Sequence, residues 1–320
     1  MKPILSIRGQ TELETMVDLA NSARTAGFYG VSLPEDLENC SADVFLTFGA
    51  LSQRCKDLTF LTSAVNQYSR HPVALGVAAL QCYEMCGGRF ILGLGSGSPS
   101  TMNALSLDGR APLARLREVV KIVRSLSTDN EVNFEGDFFK VKSVKSLRGN
   151  KRIALPIYIP GIRDRAIRLA ATIGDGIILS NFSSIEYVKH ATKIIASTPR
   201  ASGTSSFGIA CNMTYIPADD QREGLKLARP FAERYLSFPG IGETLLEKSG
   251  FDPKISGEIR KGNYERVSPE IVEAMVVFGK PDRLFDSLHS LEKLGVSLAI
   301  IGTDPAYLDK VLSIDFGKKG

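Results

Sequence analysis

Four times along this chain a helical stretch ends in glycine and an apolar run begins at once. "ARTAGFYGVSL" does so at Gly27, "YEMCGGRFILGLG" at Gly87 and Gly88, "AATIGDGIILS" at Gly174 and Gly176, and "LEKLGVSLAII" at Gly295. A glycine can take the left-handed backbone conformation that ends a helix, which lets a strand follow directly. Helix-then-strand units of this kind build parallel sheets. The runs are apolar at nearly every position, as when helices cover one face of a strand and a core covers the other.

Eight such runs can be read: 3–7, 30–33, 58–64, 89–95, 156–159, 176–180, 207–215 and 297–302. Amphipathic helical stretches are expected at 11–26, 42–54, 72–86, 112–127, 162–172, 184–197, 220–236 and 280–294. Eight strands with helices between them and no linker predict an α/β fold, the eightfold (β/α) TIM barrel, as one domain over 1–320. An open doubly wound sheet is the alternative. Two segments interrupt the repeat. Residues 128–150 read as a hairpin inserted after strand four, and residues 237–268 as a Gly/Pro-punctuated insertion before the last helix. Both are expected on strand-to-helix loops, the face where barrels keep their active sites.

Bulk composition narrows the function classes. Of 320 residues, 39 are basic and 35 acidic, leaving a net charge of +4 with the basic residues scattered, so no nucleic-acid partner is expected. Five cysteines, at 40, 55, 82, 86 and 211, have neither a disulfide-framework nor a zinc spacing and read as small buried apolar side chains. The three histidines, His71, His190 and His289, do not pair at helical spacing, so no metal is expected. No apolar run approaches the roughly 18 residues of a membrane span, and "MKPILSIRGQ" turns polar too soon for a signal peptide. The expectation is a reduced, cytoplasmic protein with no membrane contact.

Two loops attract attention as ligand sites. In "GLGSGS" the glycines stand at 93, 95 and 97, and Ser98 occupies the third glycine position of the dinucleotide fingerprint; no acid follows at the required distance and no clean helix opens. Either the glycines allow close packing inside a barrel, or a flat ligand lies across the strand end against Gly95, Ser96 and Gly97. In "PIYIPGIRDRAIRLA" a strand passes through Pro160 and Gly161 into a helix beside Arg163 and Arg165. Backbone N–H groups at such a helix start favour an anion; a merely solvated helix start is the alternative.

Together these blocks resemble the bacterial-luciferase-like flavin and deazaflavin superfamily. "RHPVALGVAALQCYEMCGGRFILGLGSG" is similar to its Arg-His/Asn-Pro helix followed by Gly-Gly-Arg and a glycine-rich strand end. "AGFYGVSLPEDL" looks like its second strand with a terminal acid, and "VVFGKPDRLFDSLHSLEKLGVSLAIIG" like its C-terminal helix and last strand. Within the superfamily, "AVNQYSRHP" is most like the methylenetetrahydromethanopterin reductases. The resemblance implies bound coenzyme F420, a deazaflavin, with FMN as the alternative, and hydride exchange with a carbon substrate, a pterin being one candidate. It also implies a cis peptide at Ser63–Ala64 and a homodimer or higher homo-oligomer. Carried over by position, Glu35, Ser63, Ala64 and Asn66 line the ring and Ser6 joins this cofactor set. Gly95, Ser96 and Gly97 lie beside the ring's tail, Gly161, Ile162 and Arg163 take the phosphate, and Ser180 and Asn181 approach the ring edge. Glu35 is the candidate catalytic acid or base; a charge capping the next helix is the alternative. Lys254, Arg260, Lys261 and Arg266 of the second insertion are candidates for an anionic tail.

The chain also departs from the reductase pattern. Those enzymes usually carry an acid at the end of strand one, where Ser6 stands, and Gly-x-Gly-x-Gly-Asp at strand four, where Ser98 replaces the Asp. Asp36, in place of His, follows Glu35. Three readings follow: an F420-dependent oxidoreductase, an FMN-dependent monooxygenase of the same fold, or a cofactor-binding protein without catalysis.

Overall fold

The computed structural model describes residues 1–8, 12–39, 42–145, 152–200 and 206–317. Eight parallel strands form the centre: β1 (Lys2–Ser6), β2 (Gly30–Leu33), β3 (Thr59–Thr62), β4 (Phe90–Gly95), β5 (Ile157–Gly161), β6 (Gly176–Leu179), β7 (Gly208–Pro217) and β8 (Leu298–Gly302). They pair in chain order throughout, β7 joining β6 on one side and β8 on the other, and β8 pairs with β1. The sheet therefore closes, and the open-sheet alternative is excluded. All eight expected runs become these strands.

The helices are α1 (Leu13–Thr25), α2 (Val44–Arg54), α3 (Pro72–Met85), α4 (Pro112–Thr128), α5 (Asp164–Ile173), α6 (Ile185–Ser197), α7 (Gln221–Leu236) and α8 (Pro281–Lys293). Their starts follow local chemistry: the Asp43 carboxylate accepts from the Phe45 and Leu46 amides, and Ser184 and Asp220 accept in the same way at α6 and α7. Left-handed glycines follow α1, α3 and α8, with φ of +85° at both Gly27 and Gly295. At the third junction the expectation fails: Gly174 has φ −91°. Its partner Gly176 is needed for space, since a Cβ there would sit 2.6 Å from the Tyr158 ring.

Helix α7 is not one of the surrounding ring. It packs on the short helices of the second insertion and beside the strand Val277–Gly279, which pairs with the end of β7. The ring position outside β7 belongs to α8, which packs against α6. Everything from the end of β7 to α8 is thus one large strand-to-helix excursion, wider than 237–268. The first insertion departs from its expected place. Its strands Glu131–Glu135 and Lys140–Lys145 form the hairpin, but it leaves the chain after α4, on a helix-to-strand connection. It folds back along α4, where the Glu118 carboxylate accepts from the amides of Asp137, Phe138 and Phe139.

Because strand side chains alternate, every second residue enters the barrel. Near the strand starts these are Ile4, Leu61, Ile178, Ala210, Leu298 and Ile300, with Ile91 and Tyr158 packed on them, a buried apolar plug. A larger apolar layer separates strands from helices and includes Cys55, Cys82, Cys86 and Cys211. Cys40 lies outside the described residues. Among the described residues no helix is long and apolar enough to cross a membrane.

Candidate active site

Above the plug the inward positions become small or polar: Ser63, Gly95, Pro160, Ser180 and Asn212. They open a cavity of about 1100 Å³ at the strand ends. Its walls include Glu35, Ser63, Ala64, Asn66, Gly95, Ser96, Gly97, Gly161, Ile162, Arg163, Ser180 and Asn181. Of the residues nominated for the ring, its tail and the phosphate, the structure thus brings together all but Ser6. Ser6 is buried at the end of β1 and does not line the cavity; its hydroxyl accepts from Arg8 Nε at 3.1 Å. Arg8, not singled out from the sequence, reaches the cavity instead.

The three glycines of β4 have three different reasons. A Cβ on Gly93 would run into the Thr62 carbonyl oxygen, so this glycine serves packing. A Cβ on Gly95 would make ordinary contacts, 3.5 Å from Pro160 Cγ and 3.6 Å from Ala64 Cβ, both cavity residues, so its bareness keeps a flat floor open. Gly97 has φ +81° and turns the chain out of the strand. The loop then does open a helix, contrary to expectation: Ser98 accepts from the Thr101 amide at 3.0 Å and caps Pro99–Ala104.

Beneath this floor β3 is interrupted. The Ser63–Ala64 peptide is cis, as the resemblance implied. Pairing with β4 stops at Leu61 and resumes at Val65 opposite Leu94. The Thr62 hydroxyl bridges the gap, donating to the Gly93 carbonyl at 2.9 Å and accepting from its amide at 2.8 Å. Glu35 meets the other side. One carboxylate oxygen accepts from the Asn66 amide at 2.7 Å and the other from Arg70 at 2.6 Å. Arg70 also pairs with Asp43, the cap of α2. Both Glu35 oxygens are therefore engaged, and its side chain is 5% exposed. These partners hold Glu35, the candidate acid or base, against the β3 break, which its carboxylate positions. The helix-capping alternative belongs to Asp43.

At the end of β5, a Cβ on Gly161 would lie 3.2 Å from both Ile167 N and Ile177 Cδ1, so this glycine lets α5 approach the sheet. No side chain caps the α5 N-terminus. The Tyr187 hydroxyl, unnoticed in the sequence, supports the loop by donating to the Ile162 carbonyl at 2.8 Å, and burial pushes its phenol up. Asp164 adds a negative charge here. His190 contacts it at 2.8 Å, and that hydrogen bond holds the Asp164 carboxyl below the usual range. Of the four cations nominated in the second insertion, none lines the cavity. Arg260 is taken by Glu243, Ser256 and the Ser237 carbonyl, and Lys261 by Glu258.

Three buried polar atoms on the cavity wall, Ser63 Oγ, Asn66 Nδ2 and Asn212 Oδ1, have no hydrogen-bond partner among the described residues. Buried polar atoms normally find partners. A flat heteroaromatic group seated on Ala64 and Gly95 would supply partners for Ser63 Oγ and Asn66 Nδ2, so the residues present fit such a group.

A closed parallel barrel with its cavity at the carboxyl ends of the strands, closed below and polar above, defines a TIM-barrel enzyme architecture with a large ligand site. The family model of the luciferase-like monooxygenases matches residues 5–298, and the chain belongs to that family. It is 26% identical over 315 residues to a 5,10-methylenetetrahydromethanopterin reductase of Archaeoglobus fulgidus, covering 95% of this chain and 92% of that protein. Among solved structures, the coenzyme F420-dependent tetrahydromethanopterin reductase of Methanopyrus kandleri superposes with a TM-score of 0.81 at 18% identity, covering 98% of this chain and 96% of that one. An F420-dependent secondary alcohol dehydrogenase superposes with a TM-score of 0.73 at 18% identity, covering 100% and 98%.

Proposed function

We propose that this protein is a coenzyme F420-dependent oxidoreductase that passes a hydride between the deazaflavin and a carbon substrate, with a one-carbon-bearing reduced pterin as the substrate class. The observation that carries the reading is the floor formed by Ala64 and Gly95 beside unpartnered Ser63 Oγ and Asn66 Nδ2, which suits a flat ring bearing heteroatoms at its edge. The reductase relatives, similar over nearly the whole chain, support the cofactor and the pterin.

When bound, the deazaflavin supplies the hydride chemistry itself. The chain's own residues do the rest. Ala64 and Gly95 set the plane in which the ring lies. Ser63 and Asn66 hold its polar edge, and the Glu35–Arg70–Asp43 network keeps the interrupted strand beneath it rigid. The α5 N-terminus, with Gly161, Ile162 and Arg163, takes the phosphate, because unpaired amides and a nearby guanidinium favour an anion. Asn181 and Asn212 face the open side, where the substrate enters. Leu46, Val77 and Met85 on α2 and α3 are exposed apolar side chains, 77%, 53% and 41% accessible, and support assembly as a homo-oligomer through that face.

Fluorescence titration with F420 and with FMN, side by side, tests the cofactor. The reading expects saturable F420 binding and weaker FMN binding, followed by single-turnover reduction of 5,10-methylenetetrahydromethanopterin by reduced F420. Tight FMN binding without F420 binding turns the case to a monooxygenase. F420 binding without turnover on pterin, ketone or imine leaves a carrier protein.

A further inference from the structure

The cavity holds few groups able to give up a proton. Glu35 is engaged on both oxygens, Asp164 is bound to His190 beside the phosphate loop, and Ser6 and Ser98 stand where the reductase pattern has acids. The remaining acidic O–H on the wall, among the described residues, is the Tyr235 phenol at the end of α7. Its hydroxyl lies 2.6 Å from Ser180 Oγ, at the top of β6. Its ring is held by Phe182, with centroids 4.6 Å apart, and by Phe238 at 5.7 Å, edge to face. Ser180, after β6, stands three strands around the barrel from Ala64 at the end of β3 and two from Gly95 at the end of β4, and all line one cavity. A substrate bound in this cavity beside a ring seated on the floor would share the space that Tyr235 also lines.

We propose that Tyr235 is the catalytic proton donor of this site, with Ser180 as the relay that restores its proton. The proposal rests on the oxidoreductase reading above. When hydride from the reduced deazaflavin reaches the substrate carbon, that carbon gains a C–H bond and both electrons. The pair of one carbon–heteroatom bond moves onto the heteroatom, nitrogen in a methylene-bridged pterin. The Tyr235 O–H bond breaks and its proton goes to that heteroatom, while the phenolate keeps the electron pair. The Ser180 hydroxyl then hands its proton to Tyr235 and takes one from water. The substrate is reduced by two electrons and the deazaflavin oxidised by two. Arg8, on the same wall, offers a nearby positive charge while the phenolate exists. Burial pushes the Tyr235 phenol up, which keeps it protonated and able to donate at neutral pH.

The test uses the full chain carrying tyrosine labelled with carbon-13 at Cζ, the Tyr235 resonance being identified by its loss in Tyr235→Phe. Adding 5,10-methylenetetrahydromethanopterin to the cofactor-free protein should shift that resonance. Tyr235→Phe should keep F420 affinity within about twofold and an unchanged Tm, yet slow single-turnover reduction roughly 100-fold or more and lose the solvent deuterium effect. Ser180→Ala should slow it about tenfold, the loss of a single hydrogen bond in a relay. A Tyr235 resonance that ignores the pterin, or a Tyr235→Phe variant as fast as the wild type, overturns the proposal while leaving F420 binding intact. Absence of F420 binding by the wild type overturns the underlying reading, and the proposal falls with it.

Discussion

The two halves of the barrel interior are built from the same strands, two residues apart, and have opposite characters. The lower half is a plug of Ile4, Leu61, Ile178, Ala210, Leu298 and Ile300, each at most 5% exposed. The upper half replaces branched apolar side chains by Ser63, Gly95, Ser180 and Asn212 and leaves a cavity with unpartnered polar atoms. A core buries apolar area at roughly 25 cal/mol per Å², and giving that up at the strand ends costs stability that the plug below retains. The difference teaches that stability and ligand recognition are divided along each strand. The dividing line in β4 falls between Gly93 and Gly95.

Substitutions can break or sharpen that division. The largest effect is expected from Gly93→Ala. With the Thr62 carbonyl in the way, β3 and β4 cannot keep their spacing, and destabilisation should reach about 3 kcal/mol or more, read as loss of soluble protein or a collapsed Tm. Arg70→Met comes next and probes an exception, a charged network that carries stability in the upper half. It strands Glu35 as a buried unpaired carboxylate, which should cost about 3–5 kcal/mol in urea unfolding. A loss under about 1 kcal/mol would show that Glu35 is wetter than its burial implies.

Gly95→Val carries the comparison to the binding side. Its Cβ has room among protein atoms, so Tm should stay within a few degrees, while its methyl groups occupy the floor and F420 affinity should fall at least about tenfold, near 1.4 kcal/mol. Equal binding by Gly95→Val would remove the ring from this floor. The smallest effect belongs to Arg260→Gln. Arg260 is bound to Glu243 and two neighbours and does not line the cavity, so stability should change by about 0–1 kcal/mol and F420 affinity by less than about twofold. A large loss of affinity there would return the second insertion to the role of tail-binding element.

What the sequence determined by itself was the repeat. Apolar runs and helix-ending glycines are local signals, governed by backbone conformation and side-chain period, and they placed all eight strands and marked the strand ends where the cavity opens. The resemblance of short motifs then nominated nearly all of its walls. The tertiary structure decided what each residue does there, because roles depend on partners distant in the chain. Glu35 and Arg70 are 35 positions apart, and their meeting makes Glu35 a strut. Helix α7 has the period of a ring helix, yet the pairing of Val277–Gly279 with β7 lays it across the rim and brings Tyr235 to Ser180, 55 positions away. Gly93, Gly95 and Gly97 are alike as letters. Only the atoms around them, a carbonyl beside the first, open space before the second and a positive φ at the third, tell packing from binding from turning.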